Sequence, residues 1–188
     1  MMIQPLERKE EKIILGLDPG TSVMGYGLII SMNRKLQVLQ FGVIHLSKYK
    51  DHELKLKKIY DRIITLIDEF HPDEVALEAP FYGKNVQSML KLGRAQGVAM
   101  AAALSRDIPI KEYAPKKIKQ AVTGNGNASK EQVAHMLMRE FSFTEMPKLL
   151  DATDALAVAL THHYQGGNNN RSNKSWKAFL EDNPNRIA

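Results

Sequence analysis

Asp18, Glu78, Asp151 and Asp154 are the side chains in this sequence whose types and placement could do chemistry. Asp18 closes the apolar run from Ile13 to Leu17, Glu78 closes a second short run after Glu74, and Asp151 and Asp154 open the apolar stretch that starts at Ala152. In open α/β sheets the functional crevice lies beyond the carboxyl ends of the strands, so Asp18 and Glu78 face one opening if their strands are neighbours. Residues three apart on a helix share a face, so Asp151 and Asp154 can project together into that crevice. Converging carboxylates repel, and without a counter-charge some of them take up a proton. A divalent cation removes that cost. The chain contains no cysteine, so thiolate ligation is excluded, and oxygen ligands favour Mg²⁺, with Mn²⁺ as a substitute. Two such ions about 4 Å apart form a clamp for in-line displacement at a phosphodiester. On this reading Asp18 bridges both ions, Glu78 holds the one that activates water, and Asp151 with Asp154 holds the one beside the leaving 3′-oxygen. A plainer reading makes Asp18 part of the Asp-Pro-Gly turn and makes Asp151 and Asp154 stabilising charges at a helix N-terminus. That reading leaves Glu78, an acid closing an apolar strand, without a purpose.

Holding these acids together requires a sheet. Ile13–Leu17 reads as a buried strand stopped by Asp18-Pro19-Gly20-Thr21, and Tyr26–Ser31 and Leu36–His45 follow as an antiparallel meander. Helical spacing of Leu54, Ile59, Ile63, Ile64, Leu66 and Ile67 predicts an amphipathic helix from His52 to Phe70, ended by His71-Pro72. A strand at Glu74–Leu77 then leads to Glu78. A helix from about Val86 to Ser105, rich in Gly and Ala, can approach another backbone closely and is a candidate dimer surface. Ile108–Tyr113 reads as a fifth strand, Pro115 opens a helix, Thr123–Asn127 is a loop, and Ser129 with Gln132 forms a capping box for a helix reaching about Phe141. The last helix runs from Ala152 to Tyr164, with His162 and His163 as capping or surface residues at its end. The order predicts an α/β fold with a mixed five-stranded sheet flanked by helices. Residues 1–12 read as a charged extension, 13–164 as one domain, and 165–188 as a polar, disordered tail in which Trp176 and Phe179 are docking points.

The chain of 188 residues is 44% hydrophobic, enough for one real core, and carries a net charge of +5. No apolar run approaches a membrane span and the start lacks a secretory pattern, so a cytoplasmic protein with no membrane partner is expected. The basic excess is concentrated between Glu78 and Glu131, at residues that include Lys84, Lys91, Arg94, Lys116, Lys117, Lys119 and Lys130. A localised basic surface suits a phosphate backbone, although it can also be a solvated face. Phe81 and Tyr82 lie in the turn after Glu78, where an exposed ring could stack on an unpaired base for about 1 to 3 kcal/mol.

Several stretches together resemble one family. Ile14-Leu15-Gly16-Leu17-Asp18-Pro19-Gly20-Thr21 with Gly25-Tyr26-Gly27, Glu78-Ala79-Pro80-Phe81, Lys84-Asn85, Ser88 to Gly97, Pro115 to Gly124, Ser129-Lys130 and Asp151 to Ala159 are similar, in collinear order, to RuvC-type Holliday junction resolvases. The resemblance implies a ribonuclease-H-like endonuclease acting as a symmetric homodimer on four-way junction DNA, with paired nicks, two Mg²⁺ ions per active site, and RuvA and RuvB as a branch-migration motor. It puts Asp18, Glu78, Asp151 and Asp154 on the family's four acidic positions and Phe81 on an aromatic position that stacks at the opened crossover. Lys119 and Lys130 match basic positions near the scissile phosphate, and Lys84 and Asn85 are further DNA-contact candidates. Asp-Pro-Gly-Thr after a strand also resembles the phosphate loop of actin-like ATPases. Those proteins need two such domains, and this sequence has a single copy of the loop. Ribonuclease H or a non-catalytic module for branched DNA are the other readings.

Overall fold

The computed structural model describes residues 11–32, 35–80, 83, 85–144 and 150–166. Three strands open the chain, β1 (Glu11–Asp18), β2 (Val23–Met32) and β3 (Lys35–His45), followed by helix α1 (His52–Phe70) and strand β4 (Glu74–Glu78). Helix α2 (Val86–Leu104), strand β5 (Ile110–Tyr113) and helices α3 (Pro115–Thr123), α4 (Lys130–Glu140) and α5 (Leu150–Gly166) complete it. The strands form one sheet in the order β3-β2-β1-β4-β5. β1, β2 and β3 pair antiparallel, while β4 pairs parallel with both β1 and β5. The expected mixed five-stranded sheet is therefore present.

Alternation along the strands divides the core between two faces. Leu15, Leu17, Val75 and Leu77 pack against Ile59, Ile63 and Leu66 of α1 and Ala99 and Ala102 of α2. Ile14 and Ala76, one residue out of step with them, join Ile118 of α3, Val133 and Leu137 of α4 and Leu156 and Leu160 of α5. Local signals set the helix ends. His71 adopts the left-handed conformation (φ 47°) and donates its backbone N–H to the Ile67 carbonyl, after which Pro72 prevents continuation. Pro115 occupies the first turn of α3 and Gly124 (φ 78°) closes it, while Ser129 and Gln132 make the reciprocal capping box at α4.

Some boundaries differ from those read in the sequence. β1 begins at Glu11 because Glu11 and Lys12 continue the pairing with Met32 and Ser31, and the Lys12 ammonium meets Glu74 at 2.8 Å. Two residues assigned to the charged extension thus belong to the sheet. α5 begins at Leu150 and ends at Gly166, which places Asp151 within its first turn and takes Gln165 and Gly166 from the tail. Phe81, Tyr82, Lys84, Trp176 and Phe179 lie outside the described residues.

Candidate active site

The site is built where β1 and β4 end side by side. In their parallel register Leu17 stands opposite Leu77, so Asp18 and Glu78 leave neighbouring strands, which lie about 4.8 Å apart, at the same edge. α5 crosses β1 and β2 against positions that carry no side chain. A Cβ at Gly16 would come within 2.2 Å of the Ala155 carbonyl oxygen, and one at Gly25, the register partner of Asp18, within 1.9 Å of the Asp151 carbonyl oxygen. Gly25 thus lets the first turn of α5 rest directly on the strand beside Asp18. The consequence is chemical. Asp18, Asp151 and Asp154 each present a carboxylate oxygen, and all three lie within 4.8 Å of one another.

A cleft of about 110 Å³ opens at this point, bordered by Asp18, Glu78, Asp154, Lys119 and Lys130 and backed by Ile118, Val133 and Ala157. Glu78 shares this cleft but stands outside the set of three aspartates. Lys130, immediately after the α4 N-cap, donates to Asp154 Oδ2 at 2.5 Å. Burial pushes the Asp18 carboxyl up to about 8, with the negative charges of Glu78, Asp154 and Asp151 adding to the rise and Lys130 opposing it. Glu78 is likewise raised to about 7, first by burial and then by Asp154, against the pull of Lys130 and Lys119. Two lysines therefore leave the carboxylates undercompensated, and the remaining deficit of positive charge fits a divalent cation. An all-oxygen donor set with three carboxylates this close suits a hard ion. The aspartate triad can bind a metal.

The family model described as "Crossover junction endodeoxyribonuclease RuvC" matches residues 14–162. The chain belongs to the RuvC family. RuvC of Cytophaga hutchinsonii is 64% identical over 177 residues, covering 94% of this chain and 88% of the relative, and that of Bacteroides fragilis is 56% identical over 190 residues, covering 99% and 100%. Among solved structures, Thermus thermophilus RuvC in complex with Holliday junction substrate is 31% identical with a TM-score of 0.77. That match covers 82% of this chain and 94% of the Thermus chain. The fold is the ribonuclease-H-like fold of RuvC.

The sequence-assigned residues divide by place. Asp18, Asp151 and Asp154 meet, and Glu78, Lys119 and Lys130 border the same cleft. Asn85 is exposed and caps α2, its side-chain oxygen accepting from the Ser88 N–H at 3.0 Å. His162 needs correction, since it is neither a cap nor a surface residue. It is 8% exposed, with Nδ1 sharing a hydrogen with the Tyr113 hydroxyl at 2.8 Å and Nε2 against Glu74. α5 continues to Gly166 and lies along the sheet, so this late position is covered by β4 and β5. What sequence reasoning missed is the seat made by Gly16 and Gly25. Their small size was visible, but nothing in the sequence named α5 as the element that needs it.

Proposed function

We propose that this chain resolves four-way DNA junctions as a homodimer, cutting two opposed strands by paired symmetric nicks in recombination and repair. It is a crossover junction endodeoxyribonuclease, and the convergence of Asp18, Asp151 and Asp154 carries the assignment of its active site. These three with Glu78 would hold two Mg²⁺ ions, Mn²⁺ substituting, Asp18 being shared between them. When bound, the ions supply a water of lowered pKa and charge stabilisation at the attacking and leaving oxygens. Lys119 and Lys130 border the same cleft from α3 and α4 and would hold the phosphate in line. Lys130, paired with Asp154, also fixes that carboxylate's orientation. Burial and the charge of Asp154 raise Glu78 to about 7, so a cation held beside it would favour its ionised form. Phe81, Lys84 and Asn85 are the further proposed DNA contacts.

α2 supports the dimer. Val86, Leu90 and Leu104 are exposed, and Gly93 and Gly97 have nothing within 4 Å of a built Cβ. Successive helical positions turn by about 100°, which brings all five to one stripe. Ala95, Ala99, Ala102 and Ala103 are buried on the opposite side in the core shared with α1. A hydrophobic stripe with two open glycines suits close packing against a second copy. RuvA and RuvB are the proposed motor partners. The cytoplasm is the proposed location, and among the described residues no helix is long and apolar enough to cross a membrane.

The deciding experiment incubates the protein with Mg²⁺ and a synthetic four-way junction. Two symmetric nicks are expected, and Asp18→Asn or Glu78→Gln should abolish cutting while binding persists. If binding disappears together with cutting, the acids are structural and the site assignment fails.

A further inference from the structure

The lysines of the cleft come from α3 and α4, and a second group of cations lies where β3 ends. Between Ser47 and Lys58 the chain carries five lysines, Lys48, Lys50, Lys55, Lys57 and Lys58, against Asp51 and Glu53. Lys48 and Lys50 lie in the connection from β3 to α1 and the other three in the first turns of α1, and the antiparallel order β1-β2-β3 returns that connection to the end of the sheet where β1 ends. It is tied to the turn after Asp18 by backbone bonds. The N–H groups of Leu46 and Ser47 donate to the Ser22 carbonyl at 2.9 and 3.0 Å, and the Lys55 ammonium reaches the Thr21 carbonyl at 3.4 Å. Lys48 and Lys50 are exposed, and among the described residues neither has a carboxylate within ion-pair distance. Lys57, by contrast, is paired with Asp61 at 2.6 Å.

We infer that Lys48 and Lys50, with Lys55 behind them, grip the phosphate backbone of the DNA arm leaving the cut site on the β3 side, a contact that rests on the junction-resolving function proposed above. Two strand intervals separate the ends of β1 and β3, about 10 Å. For an arm whose axis runs from β1 toward β3, at about 3.4 Å of axial rise per nucleotide, that is about three steps from the scissile phosphate. A strand held at Lys119 and Lys130 and leaving toward β3 passes over this loop. Because its backbone is anchored to the turn beside Asp18, the loop would also fix the approach of the arm relative to the carboxylates.

The test measures binding of an uncut junction in EDTA across about 50 to 200 mM salt. Each phosphate contact contributes about 0.9 to the log–log slope, so Lys48→Gln/Lys50→Gln should lower the slope by about 1.8 and weaken binding on the order of tenfold or more. Lys57→Gln, removing a paired lysine of the same region, should leave the slope unchanged. Neutral methylphosphonates placed two to four nucleotides to either side of the cut should lower the wild-type slope on one side only. In the double variant the same replacements should have no further effect. An unchanged slope in the double variant, an equal loss in Lys57→Gln, or full methylphosphonate sensitivity in the double variant each overturns the contact. Failure of the wild-type protein to bind the junction at all would instead remove the function on which the contact depends.

Discussion

At the scale of single residues, the site is a group of carboxylates that its two lysines do not neutralise. Asp18, driven up to about 8 by burial and its acidic neighbours, and Glu78, up to about 7, bind protons more tightly in the folded chain than unfolded. Their contribution to stability is therefore full only below the unfolded values of 3.8 and 4.5 and is lost as the pH rises toward 8. In EDTA the urea midpoint should fall between pH 5.5 and 8, and Mg²⁺ should restore it most at the alkaline end. A midpoint that rises over this range without metal would contradict the raised carboxyls, buried first and crowded second. Calorimetry near pH 7 in buffers of different ionisation enthalpy should also detect protons released as Mg²⁺ binds. Lys119→Ala belongs to the same scale. It should lower the salt slope of junction binding by about 0.9, and an intact slope removes Lys119 from the phosphate contacts.

Elements bring these residues into register. The first turn of α5 rests on Gly25, where a methyl group would fall 1.9 Å from the Asp151 carbonyl oxygen. Gly25→Ala must push the helix outward, costing about 1 to 3 kcal/mol of stability. The same displacement moves Asp151 and Asp154 away from Asp18, and a shift near 1 Å lowers turnover about 100-fold. Cleavage of a saturating junction by a variant that still melts cooperatively will separate the two effects. The α4 cap is a milder case. Ser129→Ala removes an N-cap next to Lys130 and should lower stability by about 1 kcal/mol, read as a shifted denaturation midpoint.

For the whole molecule the question is how the proposed paired cuts become symmetric. The exposed stripe of Val86, Leu90 and Leu104 with open Gly93 and Gly97 is the proposed seam between copies. Leu90→Glu places a charge in that seam without touching the core, since Leu90 is 52% exposed in the single chain. Light scattering should then report a monomer, and junction products should change from paired nicks to single nicks. A dimer that persists in Leu90→Glu would move the interface elsewhere.

How much of this was legible in the sequence depended on the range of the interaction involved. Strand and helix order followed from apolar periodicity, and the caps at Pro115, Gly124 and Ser129 followed from backbone rules acting over three or four residues. Asp18 and Glu78 stood out because an acid at the end of a buried strand is itself a local anomaly. His162 was misread because its partners, Tyr113 and Glu74, are 49 and 88 residues away, and only the sheet places them under α5. The seating of Asp151 against Gly25, the ion pair of Lys130 with Asp154 and the return of Lys48 and Lys50 to the Asp18 edge were likewise settled by tertiary structure. Periodicity records which face of an element is buried; the neighbour that buries it, and the charges that neighbour carries, exist only once the chain has closed on itself.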